Sequence, residues 1–290
     1  MHKFFFTTEE TEVHREVYNL GHFLSVYLYL LRVLCGEKKL IIILLFATLS
    51  VNIQAQYKNI PTEPISTDRP DFTESPLVVP KDWTQIETGF TYQKTSEGSA
   101  FNAPEALIRY GFEKDWEMRL GGSDFNREKV NGKIKTGFSP LYLAAKYQVG
   151  PVKVSDSQVL DISLIPGINV PNGDSNFSSN IIEPEIKFCI SSDLNDSTAL
   201  TLMAYPAWGK EDSKYLLFQQ TASLGIQLND KFGAFFEYAG SFSAHNKEEH
   251  LLHTGLTYAI DNDSQIDIHL GDSIQGDSNP FIAGGYSFRF

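Results

Sequence analysis

Ile282-Ala283-Gly284-Gly285-Tyr286-Ser287-Phe288-Arg289-Phe290 alternates without a fault. Ile282, Gly284, Tyr286, Phe288 and Phe290 fall on one side and Ala283, Gly285, Ser287 and Arg289 on the other, because successive strand side chains point to opposite faces. The stretch predicts a strand with an oily face and a polar face. A chain that ends on such a strand, with an aromatic last residue, looks like a barrel of the bacterial outer membrane. On that reading Tyr286, Phe288 and Phe290 form a C-terminal signal for the barrel-assembly machinery.

Working back to Trp83, the same pattern recurs. Ile86, Thr88, Phe90 and Tyr92 oppose Gln85, Glu87, Gly89 and Thr91, and Ile266, Ile268 and Leu270 oppose Gln265, Asp267 and His269. Comparable segments between them bring the total to about 12 strands, an even count as bacterial barrels require. The apolar faces of these strand centres carry no charge. The opposite faces carry Glu87, Glu105, Arg109, Glu117, Arg119, Lys146, Asp161, Glu183, Glu185, Lys187, Glu237, Asp267 and Arg289, the candidate lining of a lumen. One basic side chain at mid-bilayer on the lipid face costs roughly 2 to 4 kcal/mol, so a membrane barrel demands this segregation. A soluble β-sandwich would show it as well.

Link lengths separate the two. Compact turns at 113–115, 193–196, 229–231 and 261–263 alternate with longer polar links near 94–101, 124–137, 171–180, 207–215, 241–249 and 272–280. Short periplasmic turns alternating with longer external loops mark a membrane barrel. The stretch 150–157 departs, being long for a periplasmic turn. Trp83, Trp116, Tyr92, Tyr110, Tyr147, Tyr238 and Tyr258 fall near strand ends, as interfacial girdles do. Pro104, Pro166 and Pro184 count against regular strands, since each removes a ladder donor, and they belong at bulges or strand ends.

Overall composition hides all of this. With 42% apolar and 21% charged residues the chain resembles an ordinary soluble protein, because only every second strand residue meets lipid. A net charge of −12 argues against a nucleic-acid partner. Lys38 and Lys39, the apolar run 40–49 and the stretch ending at Ala55 read as a signal peptide over 38–55, cut after Ala55. The run is short of the roughly 20 residues of a spanning helix. Residues 1–37 are expected to be an extension upstream of the true start. Cys35 follows the bulky Val33 and Leu34 and precedes the apolar run, so it is not read as a lipidation site, and Cys189 is left as the one mature cysteine, buried or beside lipid.

Between leader and barrel, 56–82 holds Pro61, Pro64, Pro70, Pro76 and Pro80 and shows no period of two. It predicts an extended periplasmic or plug segment before a barrel over 83–290. Inside it lies Thr67-Asp68-Arg69-Pro70-Asp71-Phe72-Thr73-Glu74-Ser75-Pro76. With Val79-Pro80-Lys81-Asp82-Trp83, Gln85-Ile86-Glu87-Thr88-Gly89-Phe90 and Val170-Pro171-Asn172-Gly173, this motif resembles the Gram-negative outer-membrane family named for the MetA pathway of phenol degradation. Asp68, Arg69, Pro70, Asp71 and Glu74 carry the most specific part. The resemblance spans roughly 65–290 and implies a barrel that passes small, often hydrophobic compounds.

Other chemistry finds little support. His245, His250 and His253 with Glu248 and Glu249 suggest a metal site, but a solvated loop is the simpler reading, with His253 turned to the lumen. Ser241 and Ser243 invite a hydrolase reading without a nucleophile elbow or oxyanion site beside them. No phosphate loop or paired-cysteine motif occurs. The expectation is an all-β, antiparallel up-and-down transmembrane barrel that needs no cofactor and no metal. It would touch outer-membrane lipid and pass small solutes, hydrophobic or aromatic ones among them. The rivals are a barrel hydrolase and a binding barrel without transport.

Overall fold

The computed structural model describes residues 63–155, 158–210, 214–243, 248–275 and 278–290, so the expected leader and the segment before it lie outside the described residues. Within these the regular structure is strand: β1 (Thr84–Thr95), β2 (Gly98–Glu113), β3 (Trp116–Gly122), β4 (Phe125–Val130), β5 (Lys133–Phe138), β6 (Leu141–Ser155), β7 (Gln158–Val170), β8 (Glu183–Asn195), β9 (Thr198–Lys210), β10 (Lys214–Gln227), β11 (Phe232–Ser243), β12 (Glu249–Asp261), β13 (Ser264–Ser273) and β14 (Phe281–Arg289). β4 continues the line of β3, and β6 continues that of β5. Counting each pair once, the fourteen strands make a wall of twelve.

Every wall contact is antiparallel. β1 pairs with β14 from Gln85↔Arg289 to Gln93↔Phe281, which closes the cylinder. Closure gives both end strands of the wall a partner, as a sheet in lipid requires. The burial pattern is inside-out. Met118, Phe236, Leu252, Leu256, Ile268 and Leu270 are exposed, whereas Arg109, Glu117 and Lys146 have no exposed surface. An apolar outer surface this extensive requires lipid.

Several expected links prove to be strand. β1 and β2 meet around a two-residue turn, so 94–101 is not a loop, and 124–137 is the hairpin β4–β5. β9 runs to Lys210 and β10 resumes at Lys214; β11 runs to Ser243 and β12 resumes at Glu249. Of the expected turn at 150–157, residues 150–155 are likewise strand, with β6 reaching Ser155 and β7 starting at Gln158. Beyond the bilayer no face needs to be oily, so the alternation lapses while the hydrogen-bond ladder continues. Composition there reads as loop. The link at 171–182 is irregular, as expected.

The prolines occupy tolerant places. Pro104 lies where β2 leaves β3 for β4, opposite a register shift between Gly89 and Thr91. Pro184 is the second residue of β8 and pairs only toward β7. Pro166 is mid-strand and in register with Ile186 on β8, while the ladder to β6 skips Ala145 and Lys146 beside it. Trp116 stacks on Tyr147 at 4.6 Å on the outer face, as a girdle residue would. Trp83 corrects the girdle assignment. It is buried, with the Arg289 guanidinium 5.8 Å from its ring, because its odd position turns it to the inner face.

Candidate functional site

The inward charges do not line an open bore. They grip the segment 63–82, which runs through the lumen without joining the sheet apart from one bridge, Lys81 to Gly111. A strand outside a ladder has amides to satisfy, and wall side chains supply the acceptors. Glu87 accepts from the Asp68 amide at 3.0 Å and the Arg69 amide at 2.9 Å. Glu237 accepts from Phe72 at 2.8 Å and Thr73 at 2.7 Å. Gln148 takes the Val78 amide at 3.1 Å and Glu117 that of Val79 at 2.8 Å. Within the segment, the Ser75 amide donates to Asp68 at 2.8 Å and closes a loop.

Asp68 is the hub. Its carboxylate meets Arg119 at 2.7 Å, Lys146 at 3.3 Å and Arg109 at 3.5 Å. Arg109 also pairs with Glu87 and Glu117, each at 2.9 Å. Arg119 reaches Glu74 and Glu117, each at 2.9 Å, and Lys187 bonds Glu74 at 2.5 Å. Five acids (Asp68, Glu74, Glu87, Glu117, Glu185) thus meet four bases (Arg109, Arg119, Lys146, Lys187). Pairing is obligatory here, since an isolated buried charge costs many kcal/mol.

Arg69 takes a different anchor. Its guanidinium bonds Glu105 at 2.8 Å and Asp267 at 3.4 Å. It lies over Gly89 and Gly285, which pair across the β1–β14 seam, and a Cβ on either would collide with it. Two missing side chains make the notch.

Further along, Phe72 packs on His253 at 4.6 Å and on Phe281 at 6.1 Å between ring centroids. Glu237 bonds His253, while both ring nitrogens of the buried His269 lack a partner among the described residues. Asp71 borders a cavity of about 600 Å³ at the periplasmic end, walled by the 193–198 turn, Gly225, Gly233 and Gln265.

The structure places Glu87, Glu105, Arg109, Glu117, Arg119, Lys146, Glu185, Lys187, Glu237 and Asp267 around the segment. Arg289 stands at the periplasmic rim, bonded to Asp263 at 2.7 Å and to the Glu63 carbonyl at 2.5 Å. Asp161 lies toward the same rim beside Ser191, and Glu183 at the outer start of β8 beside Asn169. Neither joins the hub. The suspected metal residues are dispersed: His253 is on Glu237, and His250 Nδ1 is 2.7 Å from the Tyr238 hydroxyl. His245 lies outside the described residues. Cys189 is buried in the lumen against Ile165 and Met203. The hub role of Asp68 and the Phe72, His253 and His269 cluster were not legible beforehand, because both arise from segments far apart in the chain.

Wall and lumen together define a class, a twelve-stranded outer-membrane barrel, apolar outside and charged inside, that encloses the segment 63–82 ahead of its first strand. The chain belongs to the family described as "Putative MetA-pathway of phenol degradation", which matches residues 67–290. Its structure is similar to that of the COG4313 outer membrane channel from Pseudomonas putida F1, with a TM-score of 0.59 at 10% identity over 73% of this chain and 97% of that one. It is also similar to the NanC porin, with a TM-score of 0.51 at 14% identity over 70% and 98% respectively. At these identities the likeness is one of fold. No curated protein matches the chain.

Proposed function

We propose that the protein is a passive outer-membrane channel for small solutes, hydrophobic or aromatic ones among them, with 63–82 as its gate. One observation carries this reading: the segment is held in the lumen by side chains and not by a ladder, so it can shift without opening the wall. The charged cluster is read as positioning a segment, not as a catalytic set. Export through 38–55 with cleavage after Ala55 belongs to the same proposal, as does assembly through Tyr286, Phe288 and Phe290, which is supported by the stacking of these aromatics along the closing strand.

Liposome swelling with sugars and aromatic acids of matched size tests transport, and absence of flux for every solute would leave a binding barrel. In the R109Q/R119Q variant the segment loses its main cationic holds, and single-channel conductance should rise. Unchanged current and selectivity would remove both arginines from the gate. A fluorophosphonate probe should leave the protein unlabelled.

A further inference from the structure

Among the exposed surfaces, the outer face of the β2–β4–β5 extension differs from the rest of this acidic molecule. Residues in register on antiparallel neighbours share a face. Lys94 pairs with Ser99, Ser99 with Lys129 and Lys129 with Ile134. The row beneath runs Tyr92, Phe101, Arg127 and Thr136. Tyr92 and Phe101 are exposed on the lipid-facing side. Lys94 and Lys129 therefore stand, exposed, just above an aromatic pair, with the exposed Arg127 beside that pair, and no acidic side chain lies in either row. Among the described residues none of the three has an ion-pair partner, in contrast to the paired cations of the lumen.

Height matters as much as charge. Lys94 is about 26 Å of strand from Ile86 at 3.3 Å per residue, or about 20 Å along the bilayer normal at the usual tilt. That comes within about 5 Å of the outer edge of an apolar band about 25 Å tall, a gap that a long basic side chain spans. Aromatic side chains followed by cations at this level match a headgroup layer that presents phosphate. Lys133 and Lys135 pair with Val130 and Glu128 and so face the opposite way, toward the side on which Gly137 meets Asp174 and Phe177 of the mouth.

We propose that Lys94, Arg127 and Lys129 form a binding site for the phosphorylated headgroup of an outer-leaflet glycolipid. The full chain, purified in zwitterionic detergent, is offered lipid A with its two phosphates or the same lipid after dephosphorylation, and retention is read by native mass spectrometry. The wild type should retain the phosphorylated form preferentially. R127Q/K129Q should lower that retention about thirtyfold, each basic residue contributing a factor of about five at an anionic lipid surface. K133Q/K135Q removes equal charge from the same hairpin on its other face and should keep it. Heat-shifted electrophoretic mobility shows that each variant is a folded barrel. Equal retention of the two lipids, equal loss in the two variants, or full displacement by inorganic phosphate would each overturn the site, the last by showing a free-anion site instead.

Discussion

At the scale of single residues the lumen is governed by Asp68, one carboxylate shared among three cations. Asp68→Asn keeps the shape and the acceptor for the Ser75 amide but takes away the one negative charge that Arg109, Arg119 and Lys146 share. Removing one partner from a buried ionic cluster typically costs about 3 to 5 kcal/mol, so the thermal midpoint should fall and the basal conductance should rise together. A fall in stability with unaltered current would separate the hub from the gate. Asp124 lies in the break between β3 and β4, outside the strands, and accepts from the Ala106 amide at 3.1 Å. Burial pushes its carboxyl up to about 6. The folded protein therefore holds this proton more tightly than the unfolded chain. The stabilisation is complete below the ordinary value of 3.8 and is lost as pH rises through about 6. Asp124→Asn should flatten the dependence of the melting temperature on pH between about 4 and 7, and an unchanged slope would assign that dependence elsewhere. Asp68 stood out in the sequence as part of a motif, but its partners come from β2, β3 and β6, and no local pattern announces such a meeting.

Elements show where local signals sufficed and where they failed. Alternation fixed the faces of the wall strands, and the glycines at 284 and 285 leave room for a close approach. What approaches Gly285 is the Arg69 side chain. In Gly285→Val a Cβ would also stand 2.7 Å from the Thr88 carbonyl oxygen, so the guanidinium should be driven from its notch. Limited proteolysis should then cut 63–82 faster than in the wild type while the wall stays resistant. Equal cutting would show that Glu105 and Asp267 hold Arg69 without the notch. The hairpin β4–β5 was taken for a loop although its signal was present. Asn131 and Gly132 adopt φ of 49° and 79°, the left-handed pair of a two-residue hairpin turn. The charged flanks Arg127, Lys129, Lys133 and Lys135 masked it, because strands outside the bilayer need no oily face.

For the whole molecule, closure is the decisive event. β1 and β14 are at opposite ends of the barrel sequence, and their nine paired residues remove both edges of the sheet at once. Deleting 281–290 should leave β1 and β13 unpaired along the seam and abolish the heat-shifted mobility that a closed barrel shows on electrophoresis. Retention of the shift would mean that β13 and β1 join in its place. By itself the sequence determined the strand type, the inside and outside of each strand and the even count, because contact with lipid imposes a period of two that a single chain displays openly. Only the tertiary structure decided that the inward charges clasp 63–82 and leave no open bore. Ion pairing depends on distances between residues as far apart as Arg69 and Asp267, and folding alone sets those distances.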